Sequence, residues 1–318
     1  MTLTSRILSS AAGIFLLAAG LPAYSQDAPA ASKVDPDALE EWQKLRFGMF
    51  IHWGVASLIG KEVGWSRGHL EVTDEIYDNL YTTFNPEKFN ADEWVAAAKD
   101  AGMKYIVLVT KHHDGFCLWD TKQIDYNIMA TPFKRDVVKE VAEACKRQGI
   151  AFGVYYSVCD WWHKDFPFTT RGGNVKREVS DLDAYVKYMK AQVGELMTNY
   201  GPILTLWFDR PQAVSKAQGQ EVIDLARSIQ PKVLVNNRIN APGDYVTPEQ
   251  KIGKFDRNNP WEACMTVSKN NHWGWHKNDG VKPLGELIQM LVQSAGGDGN
   301  LLLNIGPRAD GTIDDQQA

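Results

Sequence analysis

A short apolar run, Ile203 to Phe208, ends abruptly on Asp209. That is the pattern of a buried strand whose C-terminal tip carries a carboxylate, and in a barrel of alternating strands and helices the strand tips are where chemistry sits. A carboxylate there can be held ionised and aimed at a substrate carbon; a helix N-cap or an ion pair with Arg210 is the plainer alternative. A second apolar run, Tyr105 to Val109, leads into Thr110-Lys111-His112-His113-Asp114-Gly115-Phe116. Two strand tips thus offer an acid and a histidine pair, the makings of an enzyme with a polar pocket at one face.

A partner acid is needed for most acid/base chemistry. Glu249 lies in the loop-like stretch Gly243 to Gln250, and loops after strands carry catalytic groups. Two carboxylates are what glycoside hydrolysis uses, one as nucleophile or base and one as proton donor. Glu262, beside Trp261, is the alternative acid/base, because a flanking Trp can raise its pKa by desolvation; a solvated surface Glu is the plainer reading of Glu249. His52, His112 and His113 suit metal ligation, catalysis or hydrogen bonding to sugar hydroxyls. Adjacent residues on a strand point to opposite faces, so His112 and His113 are not expected to share one metal. No HxxxH or HxH spacing appears either, and neither a metal nor another cofactor is expected. Arg238, ending a strand in Asn236-Asn237-Arg238, suits a substrate or the nucleophile's carboxylate, or else an interstrand salt bridge. Trp273 and Trp275 are spaced to share one side of an extended segment, as an apolar wall or as core packing.

The elements that must position these groups alternate. Strands are expected at 47–51, 105–109, 150–156, 203–208, 232–235 and 300–305. Helices are expected at 37–45, 91–101, 136–148, 182–200, 219–229 and 284–295, several of them stopped by Gly (Gly102, Gly149, Gly201). This rhythm predicts a parallel sheet with helices outside. A (β/α)8-like TIM-type barrel is preferred to a doubly wound sheet because polar residues gather at many strand tips. No GxGxxG follows the first strand and no phosphate loop is present, so a nucleotide cofactor is unsupported.

A chain of 318 residues that is 44% hydrophobic can bury one large core, and a net charge of -5 leaves no basic footprint for nucleic acid. The 11 Trp either fill a large core or, because flat rings stack on sugar faces, line a carbohydrate site. Arg6, the apolar stretch Ala11 to Leu21 and the small residues Ala23-Tyr24-Ser25 read as a signal peptide over residues 1–25. It is too short for a comfortable membrane span, an uncleaved anchor being the alternative, and it implies export to the periplasm or outside the cell. Residues 26–36 read as a disordered linker, and 37–318 as the catalytic barrel domain. The last strand leads into a turn and a polar tail, so the barrel is expected to be incomplete at the C-terminus. The four cysteines show no CxxC pair and read as mostly buried free thiols.

Taken together, these segments resemble the alpha-L-fucosidases of glycoside hydrolase family 29. The resemblance rests on Phe47-Gly48-Met49-Phe50-Ile51-His52-Trp53-Gly54, Lys111 to Phe116, Leu206-Trp207-Phe208-Asp209, Trp261 to Thr266, His272-Trp273-Gly274-Trp275 and Asn300 to Pro307, and covers roughly residues 37–313. It implies a retaining exo-hydrolase that removes terminal alpha-L-fucose from glycans through a covalent fucosyl-enzyme, and needs no cofactor. By resemblance Asp209 is the nucleophile and Glu249, in Thr247-Pro248-Glu249, the acid/base, with Glu262 as its alternative. Sugar-binding roles fall to His52, Trp65, His112, His113, Tyr156 (with Tyr155 its neighbouring alternative), Arg238 and Trp273, the last as the wall for the 5-methyl group. Two departures stand out. Gly64 occupies the place of a Glu before Trp65, with Glu62 nearby, and Arg210 stands where the family usually has Gly. The family's C-terminal β-sandwich is expected to be absent. Retention implies carboxyl groups roughly 5–5.5 Å apart. A catalytically impaired fucose-binding protein of the same fold is the rival reading, and a metal-dependent hydrolase a third. Linkage preference and oligomeric state are not specified by these features.

Overall fold

The computed structural model describes residues 34–67, 72–169 and 175–318. The leader expected at 1–25 lies outside the described residues, as does most of the 26–36 linker. The last three linker residues instead take part in the fold: Val34 is buried in one cluster with Trp42, Asp35 accepts a hydrogen bond from the Asp37 N–H, and Pro36 opens helix α1 (Pro36–Leu45). A capping Asp followed by Pro at the first helical position is a strong helix start.

Seven parallel strands follow: β1 (Phe47–Ile51), β2 (Tyr105–Lys111), β3 (Ala151–Ser157), β4 (Thr205–Asp209), β5 (Leu234–Val235), β6 (Glu262–Thr266) and β7 (Asn300–Ile305). They lie in the order β5-β4-β3-β2-β1-β7-β6. Helices α2 (Asp74–Asp78) and α3 (Ala91–Asp100) link β1 to β2. Helices α4 (Val137–Gln148), α5 (Leu182–Asn199) and α6 (Lys216–Ile229) follow β2, β3 and β4, and α7 (Leu284–Gly296) precedes β7. Their ends obey local chemistry. The Asp136 side chain caps α4, Gly149 closes it at φ +74°, and Ser215 and Gln218 form a capping box on α6.

Strand β6 was not expected from the sequence, and neither was the element that joins the sheet edges. Tyr245–Gln250 runs parallel between β5 and β6 as an irregular eighth stave, through bridges Asn236↔Tyr245, Val246↔Trp261 and Glu249↔Cys264. Pro248 has no N–H to give, but its carbonyl accepts from Cys264, and Gln250 N–H donates back to the Cys264 carbonyl. The fold is therefore the (β/α)8-type arrangement, with a stave where a plain loop was expected around Glu249.

Strand alternation sorts the side chains into two layers. Phe50, Tyr105, Val107, Val109, Tyr155, Trp207, Leu234, Tyr245, Cys264 and Leu302 fill the barrel interior, with Trp42 of α1 in the same cluster. Their neighbours, among them Ile51, Leu108, Tyr156, Leu206 and Phe208, pack outward in the larger cluster that also holds α3–α6. All four cysteines are buried and free. Among the described residues no helix is long and apolar enough to cross a membrane.

One register shift breaks the alternation, between Val109 and Lys111 where β2 pairs with β3. It re-aims Lys111 away from the interior. The Lys111 ammonium lies 2.9 Å from Asp160, both side chains fully buried, and 4.3 Å from the Tyr156 ring centroid. Asp160 also accepts the backbone N–H groups of Trp162 and His163, so the pair ties the β2 tip to the loop after β3. Removing one partner of a buried pair leaves an uncompensated charge. Asp160→Ala should therefore lower the unfolding free energy by about 3–5 kcal/mol, and replacing both partners with apolar residues should recover much of it. Urea denaturation measures this; a loss under about 1 kcal/mol in the single variant would contradict the assignment.

Candidate active site

The strand tips surround a cavity of about 250 Å³ lined by Phe50, His52, Trp65, His112, His113, Tyr155, Trp207, Asp209, Arg210, Arg238, Glu249, Cys264 and Trp273. That volume is slightly below the usual range of ligand pockets, roughly 300–1,000 Å³, and so has room for a small ligand. The barrel brings eight of the sequence-predicted residues into this space from six different strands or connecting loops: Asp209, Glu249, His52, Trp65, His112, His113, Arg238 and Trp273.

Asp209 ends β4 on the inward parity set by Trp207. Its Oδ1 accepts hydrogen bonds from Arg238 Nη1 at 3.0 Å and from the Arg210 N–H at 2.9 Å, and its Oδ2 accepts the Tyr155 hydroxyl at 3.0 Å. The same Arg238 nitrogen donates to Glu249 Oε2 at 2.8 Å. The two carboxylate oxygens can therefore be no farther apart than these two hydrogen bonds laid end to end. That bound on one oxygen of each acid favours the shorter of the two carboxyl spacings used by glycosidases, roughly 5–5.5 Å, over roughly 6.5–9.5 Å. Arg238 is itself fixed by donating to Thr247 Oγ1 and the Thr247 carbonyl, and its guanidinium lies 4.9 Å from the Trp207 ring centroid. Glu249 is the more exposed acid, at 44% against 21% for Asp209, so it stands at the mouth and Asp209 deeper.

The imidazoles are neutral hydrogen-bonding groups. Burial pushes His52 down to about 4, against the opposing pull of Asn304 and Asp209. Burial also holds His112 and His113 well below the usual range, helped by neighbouring His113 and His52 for the first and by Arg210 for the second. Their tautomers follow from second partners. Asn304 uses its NH₂ on the Trp273 carbonyl, so its Oδ1 accepts from His52 Nδ1–H at 2.6 Å. Ser157 spends its hydroxyl hydrogen on the Cys159 carbonyl, so it accepts from His113 Nδ1–H at 2.7 Å. Each ring is left with a bare Nε2 as an acceptor.

Several expectations need correction. His112 and His113 do not point apart: their ring centroids are 4.0 Å apart in the same cavity, because the register shift and the turn beyond β2 end the strand alternation first. Even so, among the described residues no group of three or more His, Cys, Asp or Glu is placed to hold a metal ion. Tyr156 is not in the pocket. It faces the outer layer, fully buried, and its hydroxyl donates to Gln192, while Tyr155, one residue earlier and of opposite parity, reaches Asp209. Glu262 is fully buried in the barrel interior, accepting from Tyr105 Oη at 2.6 Å and Trp207 Nε1 at 3.0 Å, and does not line the cavity. Burial raises it to about 7, against the pull of those two donors. Trp275 does not share a wall with Trp273: it donates to Asp314 outside the cavity, since the segment turns at Gly274.

At Gly64 a Cβ would approach His112 Nδ1 to 2.6 Å, so the backbone itself fills that space. Glu62 does other work: its carboxylate accepts the N–H groups of Val63, Trp273 and Gly274 and anchors the loop that carries Trp273. Phe50, Trp207, Cys264 and Arg210 complete the lining without having been named as binding residues. Trp207 was legible, since it shares parity with Asp209, but Cys264 required knowledge of β6.

A family model described as alpha-L-fucosidase matches residues 18–318. The plasma alpha-L-fucosidase of Pongo abelii is 32% identical over 322 residues, covering 90% of this chain and 67% of that protein. The chain thus spans about two thirds of the length of that relative. Among solved structures, alpha-L-fucosidase isoenzyme 1 from Paenibacillus thiaminolyticus superposes with a TM-score of 0.81 at 37% identity, covering 88% of this chain and 72% of that one. A family 29 alpha-L-fucosidase from Bacteroides thetaiotaomicron, a trapped covalent intermediate in complex with 2-fluoro-fucosyl fluoride, gives 0.80 at 28% identity, covering 91% and 74%.

The buried imidazoles have a consequence for stability. Above pH 6.5 His52 is neutral in both folded and unfolded states. Below it the unfolded chain takes the proton first, so folded stability falls progressively until the folded value of about 4 is reached. Its share of that loss is about 3 kcal/mol. Stability measured by urea at pH 7, 5.5 and 4.5 should therefore fall less steeply in His52→Gln than in the parent; parallel profiles would contradict a neutral buried His52.

Proposed function

The chain belongs to the alpha-L-fucosidase family, glycoside hydrolase family 29, and from that premise we propose that it is a retaining, exo-acting alpha-L-fucosidase. It hydrolyses terminal alpha-L-fucose from glycans by double displacement. The observation that carries this reading is the Arg238 nitrogen shared by Asp209 and Glu249, which draws one oxygen of each acid toward the other and so supports the close spacing that retention uses.

In the first step Asp209 Oδ attacks the anomeric carbon and the glycosidic bond breaks, while Glu249 gives its proton to the departing oxygen. In the second step Glu249 takes a proton from water, whose oxygen displaces Asp209 and frees fucose with its original configuration. Tyr155 and Arg238 hold the nucleophile by hydrogen bonds, and the bare Nε2 atoms of His52 and His113 accept from sugar hydroxyls. Phe50 and Trp273, with ring centroids 6.1 Å apart, supply an apolar corner for the methyl group. The covalent intermediate trapped in the Bacteroides relative supports the same two-step course here. Export to the periplasm or beyond is part of the proposal, supported by the leader-like composition of residues 1–25.

The test is release of 4-nitrophenol from its alpha-L-fucoside, with variants. Asp209→Ala should lose about 10³-fold or more in kcat whatever the leaving group. Glu249→Ala should be nearly as damaging for a sugar leaving group but much milder for dinitrophenol, which departs without a proton. Equal losses across leaving groups in Glu249→Ala would remove it from the acid role, and full activity in Asp209→Ala would overturn the proposal.

A further inference from the structure

One charged side chain in the cavity has no part in that mechanism. Arg210 follows Asp209, and its backbone stands at φ 52°, in the left-handed region that non-glycine residues seldom occupy. From there its guanidinium lies 4.9 Å from the Trp65 ring centroid, stacked at the cavity wall. Such a residue is worth a functional question, because the strain is retained together with a costly cation.

Among the described residues the charge on Arg210 is unanswered. Asp209 receives only its backbone N–H and turns its oxygens to Arg238 and Tyr155. Among the described residues no carboxylate lies within ion-pair distance of the Arg210 guanidinium, whereas Arg238 has two. The Arg210 Nε–H is buried and makes no hydrogen bond. The titratable groups it influences, His112, His113 and Cys159, are uncharged: burial holds both imidazoles down and pushes the thiol up. Apart from its contact with the buried Cys159 thiol, a guanidinium held on an aromatic face has N–H groups left to give to an oxyanion, at little further entropic cost.

The geometry points to Arg210 as the recognition element for an anionic group carried by the glycan, a sulfate ester or a carboxylate, seated beside Trp65. The inference rests on the fucosidase reading and narrows its substrate class to acidic fucosylated glycans. Arg210 contacts Trp65 while Arg238 contacts Glu249, so a second guanidinium, separate from the one shared by the acids, borders the pocket next to Asp209. A sulfate ester on the fucose ring and a uronic acid next to fucose offer the same anionic chemistry.

The experiment compares kcat/KM for three substrates: fucosyl-glucose, fucosyl-glucuronate and a fucoside sulfated on its own ring. The enzymes are the parent, Arg210→Met and Arg210→Lys, with folding checked by thermal melting. At least one acidic substrate should be preferred to fucosyl-glucose by about 10-fold or more in the parent. The preference should disappear in Arg210→Met, shrink in Arg210→Lys and weaken with added salt. The arm that shows it tells sulfate from carboxylate. No preference in the parent, or a preference that survives in Arg210→Met, overturns the inference, while hydrolysis of fucosyl-glucose upholds the fucosidase reading on its own. If none of the three is hydrolysed that reading fails, and calorimetric binding of the same compounds decides: equal affinity for acidic and neutral compounds overturns the role of Arg210.

Discussion

One guanidinium nitrogen between two acids is the interaction on which the site depends. Two carboxylates this close repel, and a cation shared between them offsets that repulsion. Arg238 supplies it, but only because four separate pieces of backbone converge on it. The β4 tip brings Asp209, the end of β5 brings Arg238 itself, the irregular eighth stave brings Thr247 and Glu249, and β6 brings Cys264 beneath. The irregularity around Pro248 is useful here. A regular strand would alternate its side chains strictly, whereas this stave offers Thr247 to hold Arg238 and Glu249 to accept from it.

Apart from Arg210, the polar groups in the rest of the pocket are uncharged donors and acceptors. Burial makes the imidazoles neutral, and for His52 and His113 a second partner decides which nitrogen keeps its hydrogen, so the proposed sugar partners are acceptors already oriented. The Trp273 wall is likewise held from behind. Its N–H is gripped by Glu62 and its carbonyl by Asn304, which also orients His52. The buried Lys111–Asp160 pair serves the other edge of the site, fixing the β2 tip from which His112 and His113 emerge. Groups outside the cavity thus set the geometry of groups inside it.

Much of this was legible in the sequence because it depends on local rules. Strand β7 and the start of β2 follow from apolar runs bounded by turns, α4 from its capping Asp and closing Gly, and Asp209 from an acid ending an apolar strand. What was not legible depends on register. Choosing Tyr156 over Tyr155 is a parity question that no residue of β3 answers alone. Treating His112 and His113 as opposed assumed alternation across a bulge that only the pairing of β2 with β3 reveals. Strand β6 begins with a buried Glu whose hydrogen-bond partners, Tyr105 and Trp207, come from β2 and β4, so its sequence did not resemble a strand. The stave at Tyr245–Gln250 contains Pro and Gln and is specified by its neighbours on either side.

The most direct test of the central claim is to identify the residue that becomes covalently attached to the sugar. The protein would be incubated with 2-fluoro-fucosyl fluoride, digested, and its peptides mapped by mass spectrometry. The account predicts a single fluorofucosyl adduct, on Asp209 at the end of β4. An adduct on Glu249 or on any other side chain would contradict the assignment. Turnover of the fluoride without an adduct, with fucose released in inverted configuration, would contradict double displacement itself.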